Sequence, residues 1–311
     1  MRILVTGGAG FIGSHIVDAL VDRGHRVTVL DDLSSGQEEN LNRRAKFIKG
    51  DVTNQKKLES VFKRVEPEAI FHLAAQINVR ASVEHPTIDA ECNILGSLRL
   101  IDMAAKAGVK KLIFSSTGGA MFGDDAQYPA NEDEPATPLS PYGLAKLTIE
   151  KYLDFYHRER GLAYISLRYG NVYGPRQNPH GEAGVIAIFT SLMLDGKAPV
   201  INGDGTQTRD YVYVGDVVKA NLAALDSEID EGVFHVGTSK ETDVNEIFRL
   251  VNWQFGKAFE ATNGPAKNGE VKRSALDASK AEALLGWKPE VDTSEGITAT
   301  VTWFKARLRE E

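Results

Sequence analysis

Short apolar runs alternate with amphipathic segments along the chain up to residue 170. The runs have the length of buried strands, and the segments between them place apolar residues at helical spacing. The pattern predicts strands at 2–6, 26–31, 45–50, 68–73, 110–115 and 163–168. It predicts helices at 11–23, 54–65, 86–107 and 143–160. Strands and helices that alternate in this way form a parallel sheet covered on both faces, so we expect an α/β fold of the doubly wound Rossmann type.

The pattern changes after the last of these strands. Glycine and proline become frequent, the predicted helices are shorter and the strand signals are scattered. We therefore expect a main domain of residues 1–170 plus about 216–237, and a smaller, irregular α/β lobe of residues 171–215 plus about 238–311. A helix at 295–309 is predicted to close the chain.

Composition narrows the class of protein. The chain has 311 residues, 42% of them hydrophobic, and a formal net charge of −7. Nucleic acid and anionic membranes bind to basic surfaces. The negative net charge and the lack of a run of Lys or Arg do not predict such a surface. The longest apolar stretch, Gly184 to Leu194, is too short to span a bilayer. Because Cys92 is the single cysteine and the N-terminus does not resemble a signal peptide, we expect a cytoplasmic protein.

A glycine-rich turn follows the first predicted strand. Gly7, Gly10 and Gly13 are spaced as G-x-x-G-x-x-G where that strand turns into a helix. Backbone amides at such a helix start bind a pyrophosphate if no Cβ blocks them. Asp31 closes the second predicted strand, where a carboxylate accepts both ribose hydroxyls of an adenosine and repels a 2′-phosphate. The set predicts an NAD site rather than an NADP site.

Tyr142 and Lys146 in S-P-Y-G-L-A-K lie one helical turn apart on the same predicted helix face. A tyrosine near its free pKa of ~10 is a poor base at neutral pH, and an adjacent cation favours the phenolate. Such a pair can carry a proton to or from a sugar hydroxyl. An exposed tyrosine beside an unrelated lysine would show the same spacing, so the pair gains its meaning from the NAD site.

Together these motifs resemble the extended short-chain dehydrogenase/reductase family and, within it, the UDP-glucose 4-epimerases. The resemblance covers nearly the whole chain. Its motifs, in the family's order, are T-G-G-A-G-F-I-G-S-H, G-D-V, H-L-A-A, F-S-S-T-G-G-A, Y-G-L-A-K, R-Y-G-N-V-Y-G-P-R, G-D-G-T-Q-T-R-D-Y and G-E-V-K-R-S-A-L-D.

The resemblance implies a set of NAD contacts along the motifs. Those positions are Gly7, Gly10, Phe11, Ile12 and Gly13 near the pyrophosphate, Asp31 at the adenosine ribose, Asp51 and Val52 at the adenine, Leu73 and Ala74 along the dinucleotide, and Tyr142 and Lys146 at the nicotinamide ribose. The main domain would then hold NAD and the smaller lobe the nucleotide sugar.

The resemblance also implies the sugar-binding positions. Thr117 would hydrogen-bond the sugar 4-hydroxyl and form the catalytic set with Tyr142 and Lys146. The remaining implied positions are Asn171 and Arg209 at the UDP diphosphate, Glu270 at the uridine ribose, Val185 in the nucleotide pocket and Ser274 beside the sugar C2 substituent. A serine leaves room there for an N-acetyl group.

The implied reaction is the NAD-dependent interconversion of UDP-glucose and UDP-galactose, with UDP-N-acetylhexosamines as further substrates. It proceeds by C4 oxidation, rotation of the 4-keto sugar and re-reduction. The alternatives are a nucleotide-sugar 4,6-dehydratase, a decarboxylase, a UDP-uronate 4-epimerase or a non-enzymatic NAD sensor. Thr117 is followed by two glycines where a dehydratase carries an acid pair, and the complete catalytic set argues against a sensor.

The resemblance further implies a homodimer built on helices 86–107 and 143–160. The seven histidines show no ligand spacing with Cys92 or with one another, so we expect no metal.

Some positions depart from the family pattern. Met121 and Phe122 replace the usual aliphatic–tyrosine pair, Lys267 replaces an arginine, and Ile77 stands where some members carry a lysine. The loss of one phenol near the active-site loop predicts lower activity if that hydroxyl positions a ligand.

Overall fold

A seven-stranded parallel sheet forms the centre of the protein. A computed structural model describes residues 1–180, 184–266 and 271–307. Its strands are β1 Arg2–Thr6, β2 Arg26–Asp31, β3 Lys46–Lys49, β4 Ala69–His72, β5 Lys111–Thr117, β6 Tyr164–Tyr169, β7 Asn171–Tyr173, β8 Val200–Asn202, β9 Thr208–Arg209, β10 Tyr211–Tyr213, β11 Val233–Val236, β12 Thr242–Asp243 and β13 Thr262–Gly264. The sheet has the order β3-β2-β1-β4-β5-β6-β11, which is the Rossmann order extended by one strand.

Helices cover both faces of the sheet and form part of the region beyond it. They are α1 Phe11–Asp22, α2 Gln55–Val65, α3 Val79–Glu84, α4 Pro86–Ala90, α5 Ser97–Lys106, α6 Pro141–Arg160, α7 Val185–Leu194, α8 Val214–Asp226, α9 Val244–Trp253, α10 Ser279–Leu285 and α11 Thr293–Arg307. A 3₁₀ turn spans Glu38–Asn40, and π-helical backbone spans Glu91–Gly96 between α4 and α5.

The predicted alternation of strands and helices is confirmed. All six predicted strands occur with ends within two residues of the prediction. Helix 86–107 divides into α4, the π-helical segment and α5, while α3 was missed because it is short. The side chain of Asn78 starts α3 by accepting a hydrogen bond from the backbone N–H of Ala81 at 2.7 Å.

Burial explains why the sheet is doubly wound. One buried cluster packs α1 and α8 against one face of the sheet, and a second packs α2, α5 and α6 against the other. The central strand β1 pairs in parallel with β2 and β4, and Ile3, Leu4 and Val5 are fully buried. Strands buried on both sides need continuous apolar runs, which is the pattern seen in the sequence.

A third buried cluster lies among α7, α9 and α11. The strands of this region form pairs only: β7 with β10 and β8 with β13 in parallel, and β9 with β12 antiparallel. The chain returns to the central sheet through α8 and β11, and β11 pairs with β6. The division into two domains stays a prediction. Within the described ranges, no helix has the length and apolar character needed to cross a membrane.

Candidate active site

A cavity of about 510 Å³ opens at the carboxyl edge of the sheet, where strands β1, β2, β4 and β5 end. Parallel α/β sheets bind their ligands at this edge. The lining includes every position for which the sequence predicted a cofactor contact: Gly7, Gly10, Phe11, Ile12, Gly13, Asp31, Asp51, Val52, Leu73, Ala74, Tyr142 and Lys146. The fold therefore brings positions from widely separated parts of the chain to one surface.

The glycine-rich turn leaves the start of α1 open. Gly7 has φ +71°, a conformation that side chains disfavour. A Cβ on Gly13 would stand 2.2 Å from the carbonyl oxygen of Gly7, so this helix can approach the turn only with glycine there. Gly10 precedes the first turn of α1, which has no side-chain cap and no acidic residue. Its backbone amides and helix dipole suit a pyrophosphate.

Asp31 is oriented by backbone amides at the end of β2. One carboxylate oxygen, Oδ2, accepts from the N–H of Ala9 at 2.9 Å, and Oδ1 accepts from the N–H of Leu33 at 2.8 Å. Each carboxylate oxygen has a second lone pair that these bonds leave available for ribose hydroxyls. Asp31 is only 7% exposed, so the carboxylate is held in one orientation. The turn, the open helix start and this carboxylate together fit NAD.

Clear local signals begin and end helix α6, which carries two of the predicted catalytic residues. Ser140 caps it by accepting from the N–H of Gly143 at 3.2 Å, Pro141 occupies its first turn, and Gly161 ends it with φ 68°. Tyr142 and Lys146 therefore lie one turn apart, as predicted. Both line the cavity.

Lys146 is buried and firmly placed. It is 4% exposed, and its Nζ donates a hydrogen bond to the backbone oxygen of Ser115 at 2.7 Å. The same Nζ lies 4.8 Å from the ring centroid of Phe114 and 5.8 Å from that of Tyr142. Burial lowers the pKa of Lys146 to about 8.

One expectation about this pair is wrong for the polypeptide by itself. Burial, together with the charge of Asp89, raises the pKa of Tyr142 to about 12 instead of lowering it. Lys146 does not offset this because its ammonium faces the ring and bonds to Ser115. The phenolate must then gain its stability when ligands add positive charge or hydrogen-bond donors to the cavity.

Thr117 completes the group of predicted catalytic residues at the cavity. It ends β5, pairs in register with Tyr169 of β6, and its Oγ1 accepts from the N–H of Ala120 at 3.2 Å. Thr117, Tyr142 and Lys146 all line the same cavity. A hydroxyl, a phenol and an ammonium on one wall can bind a substrate hydroxyl and exchange a proton with it.

The other predicted sugar-binding residues lie elsewhere. Asn171, Val185, Arg209 and Ser274 are absent from the lining of this cavity. Asn171 pairs with Tyr211 at the start of β7, which places it beside the strand that follows Arg209. Val185 begins α7 and is half-buried.

The segment that carries Ser274 lies next to β9. The N–H of Thr208 donates to the backbone oxygen of Lys272 at 2.9 Å, and Ser274 is buried. Asn171, Arg209 and Ser274 are thus held in one group of elements outside the lining of the cofactor cavity. Glu270 and Lys267 lie outside the described residues.

The departures from the family pattern have different structural settings. Met121 and Phe122 are buried in a small apolar cluster with Ala130 and Leu276 and do not line the cavity. The ring of Phe122 packs edge-on against the ring of His235, with 5.8 Å between the ring centroids, so an apolar ring fits at this position. Ile77 lines the cavity and is 56% exposed.

Several cavity residues were missed by sequence reasoning. Arg176 and Gln177 line the cavity, and the Arg176 guanidinium pairs with the carboxylate of Asp18 on α1 at 2.7 Å. Their signal was present, because Arg176 ends the motif R-Y-G-N-V-Y-G-P-R. Ser34 and Ser35 were also missed, although a polar turn directly after Asp31 is where adenosine contacts are expected.

The comparisons with known proteins place this chain among related sequences. Residues 3–237 match the NAD dependent epimerase/dehydratase family. The chain belongs to this family. The UDP-glucose 4-epimerase of Mycolicibacterium smegmatis is 44% identical over 310 residues, which cover 98% of this chain and 99% of that protein.

Two solved structures of the family carry ligands. The structure of UDP-glucose 4-epimerase from Thermotoga maritima with UDP-glucose is 51% identical and superposes with a TM-score of 0.97, covering 99% of this chain and 100% of that one. The structure of the Thermus thermophilus UDP-glucose 4-epimerase with NAD is 45% identical, with a TM-score of 0.93 and coverage of 98% and 99%.

Metal ligands do not cluster in the described part of the chain. No three His, Cys, Asp or Glu side chains there come together as a metal site requires. The expectation that catalysis needs no metal stays a prediction.

Proposed function

We propose that this protein is an NAD-dependent UDP-glucose 4-epimerase that interconverts UDP-glucose and UDP-galactose. The observation that carries the proposal is that Thr117, Tyr142 and Lys146 line the same cavity as the residues that fit NAD. Relatives at 44% and 51% identity over nearly the full chain bear the same enzyme name.

NAD is the cofactor of the family and fits this chain. Asp31 at the end of β2 and the open helix start at Gly10 would hold its adenosine ribose and pyrophosphate. Asp51, Val52, Leu73 and Ala74 would line its adenine and the path between its two ends. The chemistry that NAD supplies when bound is reversible hydride transfer at C4 of the sugar.

The residues of the chain manage the proton and the orientation of the sugar. Tyr142 takes the proton from the sugar O4 as C4 is oxidised, and it returns the proton to O4 when C4 is reduced. Thr117 donates a hydrogen bond to O4 and holds it near the phenol. Lys146, fixed by Ser115, would bind the nicotinamide ribose and, together with the positive charge of bound NAD, favour the phenolate.

The roles of the sugar-nucleotide residues form part of the proposal. Arg209 and Asn171 hold the UDP diphosphate, because a guanidinium pairs with phosphate bidentately and an amide can donate beside it. Val185 lines the nucleotide pocket, Glu270 accepts from the uridine ribose, and Ser274 lies beside the C2 substituent. Because the strongest contacts are made to the diphosphate, the 4-keto sugar can rotate between the oxidation and the reduction at C4.

A direct assay tests the activity. The purified protein is incubated with UDP-galactose, and the nucleotide sugars are separated. We expect UDP-glucose to form, and its absence with folded, NAD-loaded protein would contradict the proposal. UDP-glucuronate and UDP-N-acetylgalactosamine serve as parallel substrates, because faster turnover of either would point to a different sugar pair.

The identity of the cofactor has its own test. Protein that is purified and then denatured should release NAD, since Asp31 opposes the 2′-phosphate of NADP. Recovery of NADP would show that the interpretation of Asp31 is wrong.

The proposed assembly is a homodimer. Apolar side chains remain exposed on α4, the π-helical segment and α6, namely Ile88, Leu95, Leu144, Tyr152 and Phe155. On α6 they follow one helical stripe, the pattern of a helix that packs against a partner. Light scattering at micromolar concentration should give twice the mass of one chain, and a monomer would reject the dimer.

Location and excluded partners also remain proposals. The net charge of −7 disfavours nucleic acid and anionic membranes, and the single cysteine suits the reducing cytoplasm. Immunofluorescence or cell fractionation checks the location.

A further inference from the structure

A buried carboxylate lies behind the catalytic helix and has no role in the mechanism above. Asp89 on α4 is 1% exposed. Its Oδ1 accepts hydrogen bonds from Nε2 of Gln76 at 2.9 Å and Nδ2 of Asn93 at 2.8 Å. Its Oδ2 is buried and has no hydrogen-bond partner among the described residues. A buried ion without full hydrogen bonding is costly, so its presence needs a reason.

The hydrogen bonds of Asp89 reach one wall of the cavity. Asn93 and Gln76 are bonded twice more, from the Gln76 N–H to Asn93 Oδ1 at 2.8 Å and from Asn93 Nδ2 to the Gln76 backbone oxygen at 2.9 Å. Gln76 lies in the loop after β4, whose neighbours Ala75 and Ile77 line the cavity. Asp89 therefore supports a loop that lines the cavity.

The same loop leads to Tyr142. Gln76 Nε2 also donates to the backbone oxygen of Asn78 at 3.0 Å, and Asn78 caps α3. Within α3, Oγ of Ser82 accepts from the N–H of Tyr142 at 3.2 Å. A chain of hydrogen bonds and one short helix thus links Asp89 to the backbone of the catalytic tyrosine.

The titratable groups near Lys146 differ in whether they carry a charge and whether that charge is paired. The neighbouring titratable groups are Tyr142 and Glu150 on the same helix, Asp89 and Cys92 on the packed helical segment, and His72 on β4. Glu150 is neutralised by Arg168, whose Nε and Nη2 bond to it at 2.9 and 2.7 Å. Burial raises the pKa of the Cys92 thiol and lowers the pKa of His72 to about 3, so both are uncharged near neutral pH.

We propose that Asp89 is a positioning residue for epimerisation: its buried carboxylate places a negative charge on α4, which packs against the helix of Tyr142 and Lys146, while its Oδ1 holds the loop of Gln76. Within the described ranges, Asp89 is the carboxylate among these neighbours that has no ion pair. Burial raises the pKa of Asp89, and the hydrogen bonds from Gln76 and Asn93 and the charge of Lys146 act against that rise. Asp89 acts through Lys146 and Tyr142 and not by touching the substrate. This inference rests on the proposed function of the same site.

Asp89→Asn separates the charge from the hydrogen bonds. Both observed bonds go to Oδ1, which an asparagine retains, and its amide group occupies the place of the unpartnered Oδ2. Loss of a nearby negative charge lowers the pKa of a lysine and of a tyrosine alike. The pH profile of kcat/KM should therefore move to lower pH by on the order of one pH unit, with the NAD content unchanged.

Asp89→Glu keeps the charge and disturbs the bonds. Its profile should stay at the wild-type pH while kcat falls, because the loop of Gln76 is displaced. The matched control is Glu91→Gln, which removes a carboxylate charge from the adjoining π-helical segment where Glu91 is half exposed and paired with Arg99 at 2.8 Å. We expect the profile of that variant to match the wild type.

The outcomes separate this inference from the proposed function. Wild-type protein without epimerase activity would overturn the function, whereas an active wild type with an unmoved Asp89→Asn profile would overturn only the role of Asp89. If Asp89→Asn does not fold by circular dichroism, Asp89→Ser and Asp89→Ala remove the same charge and must move the profile the same way. If no neutral variant folds while Asp89→Glu does, the charge of Asp89 is needed for folding, and the proposal is rejected.

Discussion

The cofactor side of this protein and the side proposed to bind the sugar nucleotide differ in how they are built. On the cofactor side, the predicted contacts come from the carboxyl ends of strands in one continuous sheet and from α1 and α6, and all line one cavity. On the proposed sugar side, Asn171 and Arg209 lie on two-stranded pairs, and Ser274 lies on a connecting segment. A regular sheet brings distant motifs together through its strand pairing. An irregular region needs hydrogen bonds from individual side chains to do the same.

One such tie is visible at Asp210. Its buried carboxylate accepts backbone N–H groups from Thr238 at 2.7 Å, and from Ser239 and Leu276 at 3.1 Å each. A single side chain therefore joins β9 and β10 to two later segments. Removing the Asp210 carboxylate would leave several backbone N–H groups without an acceptor. The structure of the proposed sugar side therefore depends on individual side chains more than the structure of the sheet does.

The largest expected effect is on the cofactor side and comes from Tyr142→Phe. This change removes the proton carrier and keeps the ring, so epimerisation should fall by about 10²-fold or more, the usual scale of general acid–base catalysis. NAD and UDP should still bind. Tyr152→Phe on the exposed side of the same helix is the control, and near-normal turnover in Tyr142→Phe would remove the basis of the proposed chemistry.

Gly13→Ala tests how strictly the sheet-to-helix turn is packed. The new Cβ would stand 2.2 Å from the Gly7 carbonyl oxygen, which is backbone and cannot easily move. Overpacking of this kind typically costs about 1–3 kcal/mol, so we expect a lower melting temperature and loss of bound NAD. Gly123→Ala, where the nearest atom would lie at 3.6 Å, should leave both properties unchanged. Equal behaviour of the two variants would contradict the close-packing argument.

Ser274→Tyr tests the sugar side. If Ser274 leaves room beside the C2 substituent, a phenol ring there should reduce kcat/KM for UDP-N-acetylgalactosamine relative to UDP-galactose, with a penalty of about 1–3 kcal/mol for the crowded substrate. Because Ser274 is buried, thermal unfolding must be followed as well, and Ser274→Ala serves as the small control. An unchanged ratio between the two substrates would show that this residue does not limit the pocket.

The smallest effect is expected from Arg209→Lys. Lysine keeps the charge and loses the bidentate fork, so the KM for UDP-galactose should rise about tenfold, which corresponds to about 1.4 kcal/mol. The NAD content should not change, because Arg209 lies away from the cofactor cavity. Arg249→Lys on the exposed face of α9 is the control. A loss of NAD in Arg209→Lys would show that the two sides are not independent.

Residue spacing predicted the glycine-rich turn, Asp31 and the Tyr142–Lys146 pair, and the family resemblance implied the other cofactor contacts. The strand, glycine turn and helix at residues 2–22 act through local backbone geometry, and Asp31 needs only to end the next strand. The cap at Ser140 and the pair Tyr142 and Lys146 depend on positions one helical turn apart. Such features are readable because the interacting groups are close in sequence.

The tertiary structure alone decided the electrostatics and the irregular region. The sequence placed Lys146 beside Tyr142 and so predicted a lowered phenol pKa, but burial raises that pKa to about 12 and lowers the lysine pKa to about 8. Burial is a property of all the segments that pack around a group. The neighbours responsible, Asp89 and Ser115, come from other elements, and no spacing rule connects them to α6.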